Sequence, residues 1–418
     1  MIDQGIKKYL GIGMLSLCSV LMEADSTVQA KKLSDSQINI SYSETSGKPK
    51  PDELYASSRN NTKSSANKLQ NNQASLSDAV KKEEQSEKYL KKLVDENIFE
   101  FLTTKFTGFE KANVSSKGFR AIALSNIAEG LAHIAIEQPK KKDYLAPYLE
   151  KLVSIALNTS VNPYKTNLEK ITELGSNGLY LSHLNIILGE YEKVAQNKKY
   201  YQLNKRISTY LATQSLNDRQ KHMRSFENIE HKWPADQAAL LYSLYLFDKN
   251  YKENESKEPI RAWLEYMKKN ATDSKTGLHY SEVTGKTGYS KIPRGCALSW
   301  SIRYMSHFAP AEAKDLWAKY KKHFFEDYGL FGGFREWPKG MNRGSDADSG
   351  PIINGVGAAA TAFGLGAAKA MDNNAAYFKI NNAINLGYLG ITATGNKNMR
   401  TLSDNLLSSA IRFSSENQ

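Results

Sequence analysis

The chain has 418 residues, and its 40% of hydrophobic and 10% of aromatic residues suffice for a large core. Lysine and arginine outnumber the acidic residues by 56 to 44, which gives a net charge of +12. No nucleic-acid-binding motif accompanies this charge and the lysines are spread along the chain. We therefore predict no nucleic acid as a partner, and we interpret the charge as a basic surface suited to an anionic cell envelope or to acidic glycans.

The N-terminus has the layout of a secretory signal peptide. Lys7 and Lys8 form a short positive region, residues 9–22 are uncharged and mostly apolar, and residues 28–30 offer a cleavage site. The apolar run is short for a membrane span, and no later segment has the roughly 20 apolar residues that a span needs. We predict a signal peptide at residues 1–30, export to the periplasm or the exterior, and no membrane span after cleavage. A retained anchor is the alternative.

Residues 31–86 are predicted to form a disordered polar tether. Stretches such as 57–63 and 71–73 are polar, with almost no aliphatic periodicity. Such a segment buries too little apolar surface to offset the entropy of ordering it. Apolar residues become regular from Glu87 onward, so we place the folded domain at residues 87–418.

Most of this domain is predicted to be helical, and two kinds of helix alternate. Helices rich in small and apolar residues are predicted to begin near Phe119, Gly178, Asp236, Arg294, Ile353 and Leu402. Their starts are separated by 59, 58, 58, 59 and 49 residues. More polar helices are predicted at 144–157, 200–214, 258–269, 311–325 and 374–386. A regular unit with one helix of each kind is a two-helix repeat.

Repeated helix pairs that share a core form either a closed ring or an open solenoid. Gly355, Gly357, Gly364 and Gly366, with the alanines at 358–360, favour close packing around an axis. We therefore predict an all-α fold, an (α/α) toroid or barrel of five to six helix pairs with the lean helices inside. Because parallel inner helices begin at the same end of a ring, we expect the functional site in the cavity at that end.

The loops that enter the inner helices carry the candidate site. We predict as catalytic residues Asp236, His183, Asp348 and Glu336, and as substrate-binding residues Trp233, Arg294, Arg335, Trp337, Asp346 and Tyr289. Structural alternatives exist: Asp236 complements a first helical turn, His183 is a core histidine, and the tryptophans are core side chains. The helix N-terminus favours an ionised Asp236, whereas burial opposes ionisation. Four similar loops with acidic, basic and aromatic groups favour the functional interpretation.

These residue types indicate acid–base chemistry without a cofactor. Carboxylates and imidazoles transfer protons, and glycosidic hydrolysis requires a pair of carboxylates. Tryptophan rings stack on sugars or line an apolar cavity. The sequence has no P-loop, dinucleotide-binding fingerprint or Ser-His-Asp signature, and after signal cleavage Cys296 is its only cysteine. We predict no cofactor, no metal and no need for a thiol.

The same loops resemble the linalool dehydratase/isomerase family, exported α/α-barrels that add or remove water at a terpene alcohol without a cofactor. The similarity runs from Phe119 to Asp372, with a looser match at 402–404, and is carried by Ser-His-Leu-Asn at 182–185, Arg-Ala-Trp-Leu at 261–264 and Asp-Ala-Asp-Ser-Gly at 346–350. The resemblance implies the toroid fold and an acid–base role for His183. The catalytic cysteines of the family are absent, because Asp236 stands at one position and Phe226 near the other. The presence of Asp236 where the family has a catalytic cysteine implies carboxylate chemistry in this chain.

Three functions stay open at the level of sequence. The first is a lyase or hydrolase of the cell envelope that acts on a glycan or another polyhydroxylated substrate, with Asp236 and His183 as proton-transfer partners. The second is a non-catalytic toroid that binds a glycan or another ligand. The third is a hydratase, dehydratase or isomerase of a small hydrophobic alcohol, as in the family. A homo-oligomer is compatible with each.

Overall fold

A computed structural model describes residues 115–164, 166–286, 288, 290–346, 348–394 and 406–418. The predicted signal peptide, the predicted tether and Tyr289 lie outside these residues. The described residues form an all-α fold, as predicted. Its helices are α1 Ser115–Glu137, α2 Lys142–Leu157, α3 Gly178–Ala195, α4 Tyr201–Asn217, α5 Pro234–Tyr251, α6 Lys257–Asn270, α7 Gly295–Phe308, α8 Pro310–Phe324, α9 Ala358–Ala370, α10 Asn374–Thr394 and α11 Leu406–Glu416. No described helix is long and apolar enough to cross a membrane.

The predicted alternation of lean and polar helices is present in the structure. α3 is buried on all faces except at Lys193 and Ala195, which explains its lack of a polar stripe. The outer helix α6 instead buries only Pro259, Trp263 and Met267, which are spaced four residues apart and therefore form one stripe along the helix. Lean helices thus build the core, and polar helices cover it.

The packing order follows the odd-numbered helices. α1 packs on α3, α3 on α5, α5 on α7, α7 on α9 and α9 on α11, and α11 packs back on α1. The even-numbered helices lie against this set: α2 contacts α1 and α3, α4 contacts α3 and α5, α8 contacts α7, and α10 contacts α9. Small residues permit the close approach, since a Cβ on Gly130 would lie 2.5 Å from the Phe413 ring.

Two short hairpins shape the long connection between α8 and α9. β1 (Phe325–Asp327) pairs antiparallel with β2 (Gly332–Phe334), and β3 (Ile352–Ile353) pairs antiparallel with β4 (Val356–Gly357). A single bridge between Arg335 and Val356 joins the second hairpin to the end of the first. This connection carries the candidate residues from Arg335 to Asp348.

Backbone carbonyls from neighbouring loops occupy the first N–H groups of two lean helices. The Gly178 N–H donates to the Arg224 carbonyl at 3.0 Å, and the Gly295 N–H donates to the Glu336 carbonyl at 2.8 Å. Glycine permits this approach, because a Cβ on Gly178 would lie 2.6 Å from the Arg224 oxygen and one on Gly295 would collide with the Arg335 carbonyl. The first N–H groups of these two helices therefore bind carbonyl groups of neighbouring loops. The N–H groups of Gly178 and Gly295 are thus not free for an anionic ligand.

A buried arginine connects three lean helices. Arg303 of α7 is 1% exposed, and its guanidinium donates to Asn126 Oδ1 (2.6 Å) and Glu129 Oε2 (2.6 Å) of α1 and to Ser414 Oγ (2.5 Å) of α11. The Tyr304 hydroxyl donates to the second oxygen of Glu129 at 3.0 Å. Burial raises the pKa of Glu129 to about 6, although the Arg303 charge opposes the rise. Such a buried pair is retained only where hydrogen bonds satisfy both partners.

Candidate active site

Asp236 is the third residue of α5, three residues after the N-cap Trp233 and two after Pro234. Its side chain is partly accessible, and the Ser225 hydroxyl donates a hydrogen bond to its Oδ2. Burial raises the pKa of Asp236 to about 7, the Ser225 hydrogen bond opposes the rise, and the charge of Asp348 adds to it. Burial therefore outweighs the helix N-terminus, and near neutral pH Asp236 is present in both its protonated and its ionised form.

Arg294 organises a cluster of charged groups at the start of α7. Its Nε donates to Glu336 Oε1 at 2.5 Å, and its Nη2 donates to Asp346 Oδ1 at 2.5 Å. The Cys296 thiol also donates to Glu336 Oε1, at 3.0 Å. Burial raises the pKa of Cys296 well above its usual value, and the Glu336 charge adds to this rise, so the thiol stays protonated. The cluster is an ion network in which Arg294 is held between two carboxylates.

Glu336 and Asp346 differ in their access to solvent. Glu336 is fully buried, and burial raises its pKa against the attraction of Arg294. A Cβ on the neighbouring Gly357 would lie 2.8 Å from its Oε2, which shows how closely the backbone covers this carboxyl. Asp346 is partly exposed; burial works against its ionisation, but the Arg294 charge and hydrogen bonds lower its pKa. Glu336 therefore binds Arg294 on the buried side of the cluster, whereas Asp346 binds it on the side nearer to solvent.

Asp348 connects the Arg294 cluster with Asp236. It is exposed on the loop before α9, and its backbone N–H donates to Asp346 Oδ1 at 3.1 Å. Its negative charge raises the pKa of both Asp236 and Cys296, so it lies within electrostatic reach of both. Four predicted residues, Asp236, Arg294, Asp346 and Asp348, are thus brought into one neighbourhood.

His183 lies in a different environment, inside α3. It is fully buried, its Nδ1 is 2.7 Å from the Ser125 hydroxyl oxygen, and its ring centroid is 5.9 Å from that of Trp300. Nε2 has no hydrogen-bond partner in the described part of the chain. Burial and the Arg303 charge lower the pKa of His183 to about 3, so the imidazole is neutral at physiological pH. No hydrogen bond between described residues joins it to Asp236, its expected partner.

The two tryptophans of the predicted site are not equivalent. Trp233 is partly exposed, and its ring meets Phe226 edge to face at 6.3 Å and His231 at 5.7 Å. Trp337 is 1% exposed and lies 5.2 Å from the Arg294 guanidinium. Trp233 is therefore accessible for stacking on a ligand, whereas Trp337 packs behind Arg294.

The guanidinium of Arg335 contacts residues of its own loop and of the preceding hairpin. Its guanidinium pairs with Glu326 at 3.1 Å and donates to the carbonyls of Trp337 at 3.1 Å and Met341 at 3.2 Å. Gly355, with φ +86°, leaves room for this guanidinium. Arg335 therefore stabilises the connection between α8 and α9. Its role in substrate binding stays a prediction.

Ser225 and Cys296 contribute to the site although sequence reasoning did not select them. Ser225 lies in a coil segment with no motif around it, so nothing in the sequence marked its bond to Asp236. Cys296 stands two residues after Arg294, and this short separation in the sequence could have indicated that Cys296 lies near the site.

The described residues contain no group of three or more His, Cys, Asp or Glu side chains that could hold a metal ion. Comparison with models of known protein families and with curated proteins found no match.

Proposed function

We propose that the protein is an exported, cofactor-independent enzyme, a lyase or hydrolase, that acts on a glycan or another polyhydroxylated substrate with Asp236 as its acid–base group. The environment of Asp236 carries this proposal. The carboxyl is partly accessible, receives one hydrogen bond from Ser225 and has a pKa of about 7. A group with a pKa near the working pH is efficient both as acid and as base.

The fold in this proposal is an α/α-toroid. Its support is the order of helix contacts, which runs from α1 through α3, α5, α7 and α9 to α11 and returns to α1. In such a ring the parallel inner helices begin at one end. Asp236 and Arg294, at the starts of α5 and α7, then face the same cavity mouth, and the loop with Asp346 and Asp348 borders it.

The solvent exposure of each site residue decides the catalytic or binding role that we assign to it. Asp236 donates or takes the proton, and the exposed Asp348 is the second carboxylate. In hydrolysis, protonated Asp236 protonates the leaving oxygen while Asp348, in its ionised form, takes a proton from the attacking water. Burial and the charge of Asp346 raise the pKa of Asp348, and Arg294 opposes this rise. In an elimination, ionised Asp236 removes a proton from the carbon next to the C–O bond, the C–H electron pair forms a C=C bond as the C–O bond breaks, and the protonated Asp236 then gives its proton to the leaving oxygen. Trp233 stacks on the substrate, and Arg294, held by the buried Glu336, keeps Asp346 in place to accept hydrogen bonds from hydroxyl groups.

A second candidate function is a hydratase or isomerase of a small hydrophobic alcohol, in line with the resemblance to the linalool dehydratase/isomerase family. The specific observation in its favour is His183, whose Nε2 has no hydrogen-bond partner among the described residues and whose ring lies 5.9 Å from that of Trp300, which in turn packs on Phe363 at 4.4 Å. In this function the neutral imidazole of His183 takes a proton from the carbon next to the C–OH bond as the C=C bond forms and the C–O bond breaks, and the imidazolium then protonates the leaving hydroxyl, which departs as water.

Turnover assays on three substrate sets test the proposal: neutral oligosaccharides, acidic oligosaccharides and a terpene alcohol. The proposal expects turnover of a glycan that falls roughly 10²–10⁴-fold in Asp236→Asn, the usual size of an acid–base contribution. Asp315→Asn is the matched control, because Asp315 lies exposed on α8 and pairs only with Lys319 among the described residues. Binding without turnover in the wild type would support the ligand-binding toroid. Turnover of the terpene alcohol that is lost in His183→Gln would support the second candidate.

A further inference from the structure

A polar recess of about 500 Å³ is lined mainly by the end of α4 and the segment that leads to α5. Its volume is within the range of small-molecule pockets. Its wall includes the hydroxyl and amide side chains of Ser176, Gln214, Asn217 and Thr284. The Thr284 hydroxyl is buried and has no hydrogen-bond partner in the part of the chain that the structure describes. This wall presents donors and acceptors of the kind that sugar hydroxyl groups need.

The charged side chains of the recess are three cations and two carboxylates, Arg224, Lys232, Lys286, Asp218 and Glu230. Lys232 binds Asp218 at 2.5 Å. Lys286 binds Glu230. Arg224 donates from Nη2 to the Ser176 hydroxyl at 3.0 Å, and no described carboxylate pairs with it. The recess therefore has one positive charge in excess, carried by a guanidinium whose planar donors match a carboxylate.

The recess and Asp236 share one short segment of backbone. Arg224 lines the recess, and the next residue, Ser225, donates to Asp236. Lys232 of the recess directly precedes Trp233, the N-cap of α5. A ligand in the recess therefore contacts the same backbone segment that supplies the hydrogen-bond partner of Asp236.

We infer that this recess binds a carboxylate-bearing sugar unit of an acidic glycan, with Arg224 on the carboxylate. The inference deepens the proposed function, because it names the class of glycan whose neighbouring unit reaches Asp236. The excess of basic over acidic residues in the chain, 56 to 44, suits the same polyanionic ligand. The recess thus selects the substrate by charge, and the acid–base group acts beside it.

Calorimetric titration with trigalacturonate, maltotriose and acetate tests this inference. The acidic trisaccharide should bind more tightly than the neutral one, and acetate should not bind measurably, because one carboxylate without hydroxyl groups uses only Arg224. Arg224→Gln should weaken trigalacturonate binding roughly 10- to 100-fold, as expected for the loss of one charged hydrogen bond, and leave maltotriose unaffected. Arg219→Gln is the matched control, because Arg219 borders the adjacent depression and not this recess. It removes the same charge and should leave affinity unchanged.

Several outcomes would overturn the inference: equal affinity for both trisaccharides, acetate binding as tight as that of trigalacturonate, or full affinity in Arg224→Gln. If Arg224→Gln does not fold, Arg224→Lys keeps the charge without the planar donors, and its affinity should lie between wild type and no binding; wild-type affinity would contradict the role of the guanidinium. Asp236→Asn separates the two proposals. It should bind trigalacturonate like the wild type, so unchanged turnover in that variant would remove the acid–base role and leave the binding site intact.

Discussion

Replacing Asp236 by asparagine removes its charge while it keeps its shape. The structure predicts two effects of opposite sign, a loss of activity and a gain of stability at alkaline pH. Activity falls because the group that transfers the proton is gone. Stability rises because the wild type must keep an ionised carboxyl in a site that disfavours it.

The pKa of Asp236 sets the size of the stability effect. Its pKa is raised from 3.8 to about 7, so the folded state holds the proton more tightly than the unfolded chain between these two values. Wild-type stability therefore falls as the pH rises from about 4 to 7, by at most about 4 kcal/mol, and partial exposure of the side chain reduces this figure. Asparagine avoids the loss. It also gives up the interaction of a carboxylate with the start of α5, which is worth about 1 kcal/mol or less. The gain from removing the unfavourable burial of the charge therefore exceeds the loss at the helix start, so Asp236→Asn is more stable than the wild type at alkaline pH.

Melting temperatures of both proteins at pH 5, 7 and 9, measured beside turnover, check this reasoning. The two curves should lie close together at pH 5, and Asp236→Asn should melt several degrees higher at pH 9 while its turnover is largely lost. A variant that melts lower at every pH and retains turnover would show that Asp236 only complements the first turn of α5.

Ser225→Ala removes the hydroxyl that stabilises the ionised form of Asp236, so the corresponding pKa in the pH–rate profile should rise by about one unit; an unshifted profile would contradict the contact. Cys296→Ser should retain most of the turnover, and thiol-alkylating reagents should have little effect on the folded protein, because burial keeps the thiol protonated; inactivation without unfolding would bring back a cysteine mechanism. Gly295→Ala should lower the free energy of unfolding in urea by about 3 kcal/mol, because its Cβ collides with a loop carbonyl, whereas Gly344→Ala, in open space, should change it by less than about 0.5 kcal/mol; equal effects of the two changes would disprove the packing argument.

The helices could be predicted because their signals are local. Small apolar residues recur through α3, and a single apolar stripe marks α6, so both kinds of helix are visible in the sequence. The helix predicted to begin near Gly178 begins at Gly178 in the structure. The helix after Ile353 begins five residues later than expected, at Ala358, because β3 and β4 occupy the intervening segment.

The site could be predicted only as a set of loops, because side-chain direction depends on tertiary contacts. Trp233 and Trp337 both precede a proline in similar loops, yet one is partly exposed and the other is buried behind Arg294. Arg335 is predicted to bind substrate, and its contacts with Glu326 and two carbonyls of its own loop could not be read from the sequence. The amino-acid sequence of each loop does not show which of its side chains will be buried and which will face solvent.

The contacts of Arg303 place a time constraint on folding. Glu129 precedes Arg303 by 174 residues, and Ser414 follows it by 111. At about 5–20 residues per second of synthesis, the Glu129 carboxylate waits roughly 10–35 s for its cation. Until then burial of the face of α1 that carries Glu129 would leave an unpaired charge in the core, which is strongly unfavourable. The buried ion pair of α1 and α7 therefore forms only after residue 303 has been synthesised, so these helices reach their final packing late in synthesis.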